Sequence, residues 1–227
     1  MKRIIPSVIG GVALMVSGSQ SFAADPYVDP QFNWTGLYLG VESGFRNSKA
    51  DVSLPRFALT DSQPSLNALV LGSEIGYRHQ FNNPLVLGIS ADVAAFLGDE
   101  NSAQLTGFPN AFWKVESDWD ASIQASLGFA FDRALFYGMG GVAFTNISGC
   151  GVSGGACSPA TDFSSTRTGW TVGAGLAYAW TDDWISNVEY HYSDFGTKTY
   201  STPGSAGDLT DVDLKSHSLT VGLQYRF

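Results

Sequence analysis

Apolar residues recur at every second position through most of the chain. Leu37, Leu39 and Val41 alternate with Gly36, Tyr38, Gly40 and Glu42. Leu69, Leu71, Ile75 and Tyr77 oppose Glu74, Gly76 and Arg78, and Leu85, Leu87, Ile89, Ala91 and Val93 oppose Gly88, Ser90 and Asp92. From Trp119 to Phe129 the odd positions are apolar, against Asp118, Asp120, Ser122, Gln124 and Ser126. The segment Phe136 to Phe144 is Gly-rich and its facing is ambiguous. Trp170, Val172, Ala174, Leu176 and Tyr178 oppose Thr171, Gly173, Gly175 and Ala177. Trp184, Val188, Tyr190 and Tyr192 oppose Asn187, Glu189, His191 and Ser193. Leu219, Val221, Leu223, Tyr225 and Phe227 oppose Thr220, Gly222, Gln224 and Arg226. A period of two marks a strand with one apolar face. The pattern predicts eight strands of about ten residues each, a length that suits a tilted transmembrane strand.

Antiparallel sandwiches alternate in the same way, so the connections decide the class. Three are tight: Asn82-Asn83-Pro84, Asp132-Arg133 and Thr181-Asp182-Asp183. Four are long, at about 46–65, 98–115, 147–165 and 196–212. Tight and long connections alternate, as they must when eight strands run up and down with both ends of the chain on one side. The prediction is an all-β fold: an eight-stranded antiparallel transmembrane β-barrel of the bacterial outer membrane, integral, with its long loops extracellular. Closure would pair every backbone group in lipid and leave no sheet edge. Trp180, Trp184, Phe81 and Phe131 flank the tight turns, as an aromatic belt at headgroup level would require, and Tyr190 and Tyr192 suit the opposite belt.

The first residues read as an address. Lys2 and Arg3 precede an apolar run from Ile4 to Val16, and Ser21-Phe22-Ala23 offers small residues before a cut between Ala23 and Ala24. The run is too short to cross a hydrocarbon core of about 30 Å. The expected organisation is a signal peptide at 1–23, an N-terminal periplasmic lead-in at 24–33 and a barrel domain at 34–227. The last strand carries Thr220-x-Gly222-x-x-Tyr225-x-Phe227, a polar residue, a glycine and two aromatics. Gly222, Tyr225 and Phe227 fit the sorting signature of outer-membrane barrels, so the outer-membrane assembly machinery is an expected partner. Outer-membrane lipid and lipopolysaccharide are the expected surroundings.

Several segments resemble the small outer-membrane immunogenic proteins, porin-like barrels of Gram-negative bacteria within the OmpA-like eight-stranded class. They are Trp34-Thr35-Gly36-Leu37-Tyr38-Leu39-Gly40, Leu127-Gly128-Phe129-Ala130-Phe131-Asp132-Arg133, Gly140-Gly141-Val142-Ala143 and Thr168-Gly169-Trp170-Thr171-Val172-Gly173-Ala174-Gly175. The likeness continues through Val188-Glu189-Tyr190-His191-Tyr192-Ser193-Asp194-Phe195-Gly196 and ends at Tyr225-Arg226-Phe227. The resemblance implies a surface-exposed, non-enzymatic barrel that serves envelope structure and surface display. This chain has Gln124 and Ser126 where the family often places basic lumen residues, and Ala177 where it often has an acid. The resemblance therefore implies a thinner interior ion network here.

Composition narrows the chemistry. Hydrophobic residues make up 44% and charged residues 15%, against roughly 25% charged in ordinary soluble domains. A net charge of −9 excludes nucleic acid as a partner, because such binding needs a basic surface. Lumen candidates are Glu42, Glu74, Arg78, Asp92, Asp118, Asp120, Glu189, His191 and Arg226, with Arg78 and Arg226 as expected hubs for carboxylate pairing. The interior reads as plugged, with a narrow small-solute porin as the alternative. His191 and Ser193 share a face beside Glu189, which raises an outer-membrane lipid hydrolase as a lesser alternative, but that face points away from lipid. His79 and His217 stand apart, so no metal site and no cofactor is expected. Cys150 and Cys157 bracket six residues of the third long loop and read as a small disulfide ring in an oxidising exterior, with free thiols or a metal clip as the alternatives.

Overall fold

The computed structural model describes the backbone of residues 32–54, 59–60, 65–97, 101–104, 111–153, 156–157, 163–201 and 209–227. Eight long strands carry the fold: β1 (Gly36–Leu54), β2 (Ser65–Gln80), β3 (Leu85–Leu97), β4 (Ala111–Phe131), β5 (Ala134–Ser153), β6 (Phe163–Ala179), β7 (Trp184–Ser201) and β8 (Leu209–Arg226). Each pairs antiparallel with its chain neighbours, and β1 pairs with β8 to close the barrel. Short strands at Leu59–Thr60, Asn101–Gln104 and Ala156–Cys157 add to the long-loop end.

The registers fix the barrel's size. Stepping across the ladders from Tyr38 leads to Gly76, Ser90, Gln124, Gly141, Thr171, Ser193 and Ser216, and returns to β1 at Ser48. One circuit thus climbs ten residues along β1. With eight strands, that stagger sets a strand tilt of about 40°. The interior is then just wide enough to be filled by side chains.

The alternation seen in the sequence becomes two faces. Val41 is 63% exposed and Val221 is 58% exposed, and Leu39, Leu71, Ile89, Val172 and Leu223 share this outer surface. Phe81, Phe131, Trp180, Trp184 and Phe227 ring the tight-turn end, with edge-to-face pairs at Tyr178–Trp180, Trp184–Tyr225 and Tyr225–Phe227. Trp170, Tyr190 and Tyr192 form the opposite belt, joined by Trp119 and Phe45. From His217 to Phe227 a tilted strand advances about 25 Å, the height of an outer-membrane apolar band.

The strands run farther than the apolar pattern predicts. The segments expected as loops at 46–65, 98–115, 147–165 and 196–212 are largely ladder, since β1 continues to Leu54, β5 to Ser153 and β7 to Ser201. Past the apolar band the sequence no longer alternates. The backbone hydrogen bonds still continue, because the ladder needs no apolar face.

Two irregularities redirect side chains. The β4–β5 register shifts between Ser117 and Asp120, where β4 holds one extra residue. The β7–β8 register shifts between Asp194 and Thr197. There Gly196 adopts φ +64° and its N–H donates to Asp194 Oδ1 at 2.9 Å. This left-handed turn suits glycine. Phe195 keeps the inward facing of Glu189, His191 and Ser193 and packs against Ala143, Ile147 and Leu214, while beyond the turn Thr197 is exposed.

Candidate functional site

The lumen is built in layers. At the tight-turn end Phe32, Trp34, Val86, Ala130, Leu135, Tyr137, Ala177, Ala179 and Ile185 form an apolar floor. Phe32 and Trp34 precede β1 and are buried in this cluster. Trp34 is 1% exposed. Its backbone N–H donates to Gln80 Oε1 at 2.8 Å and its indole N–H to the Asp132 carbonyl at 3.1 Å. The Phe32 N–H donates to Asp132 Oδ1 at 3.2 Å. Asp132 occupies φ 51° in its tight turn, a region aspartate tolerates. One turn residue therefore holds the lead-in from two sides.

Arginines cover this floor rather than pairing with acids. Arg78 lies over the Tyr38 ring at 4.1 Å and donates to Gln224 Oε1 at 2.9 Å. Gln224 Nε2 in turn donates to Glu74 Oε1 at 2.6 Å. Arg78 thus reaches its carboxylate through an amide relay, where direct pairing was expected. Arg226 also departs from the expected hub. As the last residue of β8 it sits at the rim, with its guanidinium over the Phe32 ring at 4.5 Å and bonded to the Asn33 carbonyl. No carboxylate is within its reach among the described residues; Phe32 and the Asn33 carbonyl take its guanidinium instead.

Above the floor lies a polar layer. Tyr137 donates to Glu189 Oε1 at 2.5 Å, Asn187 to the same oxygen at 3.0 Å, and His191 Nε2 lies 3.1 Å from Glu189 Oε2. Asp92 Oδ1 accepts from Ser122 at 2.5 Å and from Gln124 Nε2 at 3.1 Å. Arg46 reaches Asp120 at 3.4 Å and Ser216 Oγ at 3.0 Å. These contacts join residues up to 170 positions apart. Glycines leave room for the two tyrosines. A Cβ on Gly76 would run into the Tyr38 hydroxyl, and one on Gly175 into the Tyr137 ring. The layer encloses a cavity of about 50 Å³, walled in part by Glu42, Glu74, Asp92, Gln124, Glu189 and His191.

Asp118, expected in the lumen, is exposed and lies 3.4 Å from outward Asn146. The extra residue of β4 reverses the facing at that point: Ser117 and Asp120 stay inside while Asp118 turns out. The hydrolase arrangement is also missing its central bond. Ser193 Oγ donates to Thr171 Oγ1 at 3.0 Å, while the imidazole of His191 is held by Glu189. The side chains of Cys150 and Cys157, and the cut at Ala23 and Ala24, lie outside the described residues. No group of three or more metal-ligating side chains converges among the described residues. Sequence reasoning missed Phe32 and Trp34 as interior residues. The one available signal was an aromatic pair ahead of the first alternating segment.

The profile of the outer membrane protein β-barrel domain family matches residues 10–227. The chain belongs to this family. It is 30% identical over 215 residues to the 31 kDa outer-membrane immunogenic protein of Brucella melitensis, covering 86% of this chain and 85% of that protein. It is 26% identical over 238 residues to the 25 kDa outer-membrane immunogenic protein of Brucella abortus, covering the whole of both. Among solved structures, the outer membrane protein OprG from Pseudomonas aeruginosa superposes with a TM-score of 0.54 at 15% identity, covering 88% of this chain and 99% of that one. That likeness concerns the fold alone. An outer-membrane family, an outward apolar band and a closed ladder agree on one location, the bacterial outer membrane.

Proposed function

We propose that the protein is a non-conducting, non-enzymatic outer-membrane barrel that serves envelope structure and displays its long-loop end at the cell surface. The observation that carries this is the filled lumen: an apolar floor around Trp34, a hydrogen-bonded polar layer, and a second apolar cluster around Phe195. Eight-stranded barrels have little interior to spare once their side chains are in place. Short turns on one end and long hairpins on the other support a periplasmic floor and an extracellular rim. The reading includes a cleaved signal peptide, a Gram-negative host, delivery by the outer-membrane assembly machinery, and lipid and lipopolysaccharide around the band. The Ser193–Thr171 bond supports the non-enzymatic part.

Planar-bilayer recording on the refolded barrel tests the central claim. Baseline current only is expected. A steady unitary conductance from the wild-type protein would establish a narrow small-solute porin instead. Protease added to intact cells is expected to cut within 46–65, 98–115, 147–165 or 196–212. Cutting at Asp132-Arg133 or Asp182-Asp183 would reverse the orientation. Release of fatty acid from lipopolysaccharide on incubation, followed by mass spectrometry, would overturn the non-enzymatic assignment.

A further inference from the structure

The cavity in the polar layer carries more oxygen acceptors than its donors satisfy. Its wall includes five carboxylates, Glu42, Glu74, Asp92, Asp120 and Glu189, against the cationic Arg46 and the imidazole of His191. Four of the five accept hydrogen bonds from named donors: Glu74 from Gln224, Asp92 from Ser122, Asp120 from Arg46 and Glu189 from Tyr137. Glu42 accepts none among the described residues. It stands between two glycines in the ladders, Gly72 on β2 and Gly222 on β8, so neither neighbour brings a side-chain donor. Gln124 supplies an independent observation. It is 4% exposed, its Nε2 donates to Asp92 and Ser122, and its Oε1 is buried without a partner. Turning the amide over would set its oxygen against the Asp92 carboxylate, so the orientation is determined.

A buried acceptor with no donor costs about 1–3 kcal/mol, and an unpaired buried carboxylate costs more. A cation answers both. We propose that this cavity binds a hard, partly hydrated cation, held by the Glu42 carboxylate and the Gln124 amide oxygen. An all-oxygen donor set suits a hard ion such as Na⁺, Mg²⁺ or Ca²⁺ and disfavours softer metals. About 50 Å³ leaves room for the ion with a few waters. Water completes the ion's shell, since among the described residues no three acidic or histidine side chains converge closely enough to encase it. An anion would instead meet the like charge of the five carboxylates.

The full mature barrel, refolded in phosphocholine vesicles, provides the test. Mg²⁺ and Ca²⁺ are titrated by calorimetry, and Na⁺ is followed by ²³Na line broadening. One saturable site for at least one of these ions is expected. Glu42→Gln keeps the shape but removes the charge, and is expected to weaken binding about tenfold or more. Asp118→Asn, on the outer surface, is expected to leave it unchanged. Response to Na⁺ alone would identify a monovalent station, and response to Mg²⁺ or Ca²⁺ a divalent one. No saturable binding by any of the three ions overturns the proposal. Binding that Glu42→Gln leaves unchanged also overturns it, because the ion then sits on exposed acids. If Glu42→Gln fails to regain heat-modifiable migration, Gln124→Met removes the amide oxygen at similar length, and unchanged binding in that variant is equally decisive against the site.

Discussion

Replacing Trp34 with alanine removes the centre of the lumen floor. The indole is 1% exposed and packs among Val86, Leu135, Ala177 and Ile185. A buried tryptophan withdraws about 150–250 Å² from solvent, which at about 25 cal/mol per Å² corresponds to about 4–6 kcal/mol. Partial collapse of the surroundings brings the usual cost of such a truncation to about 3–5 kcal/mol. The indole N–H to the Asp132 carbonyl adds about 1 kcal/mol. We expect Trp34→Ala to lose about 4 kcal/mol, and Trp34→Phe, which keeps a ring but not the donor, about 1–2 kcal/mol. Reversible urea folding into vesicles, approached from both directions, measures the difference. Trp180→Ala serves as the comparison, because that ring is 66% exposed at the outer belt. The variant is also expected to admit current in planar bilayers, since the hole lies where the lumen is otherwise filled. A loss below about 1 kcal/mol, or one no larger than that of Trp180→Ala, would refute Trp34 as the keystone of the floor.

Further expectations concern the wall and the loops. Val221→Arg, in the middle of the lipid-facing band, should cost about 2–4 kcal/mol, while Asn47→Arg, beyond the belt, should cost about 0–1 kcal/mol in the same assay; equal costs would mean the band is misplaced. Gly76→Ala should destabilise by about 1–3 kcal/mol through its collision with Tyr38, and Tyr38→Leu in the same chain should recover part of that loss, which a double-mutant cycle reads as coupling. Cys150→Ser with Cys157→Ser should leave heat-modifiable migration intact and raise protease sensitivity within 147–165, because a ring of this size stabilises by about 2–3 kcal/mol at most; two free thiols in the unreduced, denatured wild type would remove the bond from the account.

The outer surface of this protein was written in its sequence. Alternation is a local property: once Leu37, Leu39 and Val41 share a face, lipid can solvate that face whatever strand lies beside it. The tight turns were legible for the same reason, as were the number of strands and the aromatic belts. The interior depended on closure. Glu74 meets Gln224, and Trp34 meets Asp132, only because a circuit of the wall climbs ten residues and brings distant registers level. Two single-residue irregularities then overrode parity, turning Asp118 out on β4 and Thr197 out on β7, at places where the local composition of the strand does not change. The extent of the strands above the band was hidden because hydrogen bonding between paired backbones continues where hydrophobic alternation stops. Period and polarity decided which side of the wall each residue faces; register, stagger and the burial of Phe32 and Trp34 decided which residues meet inside it.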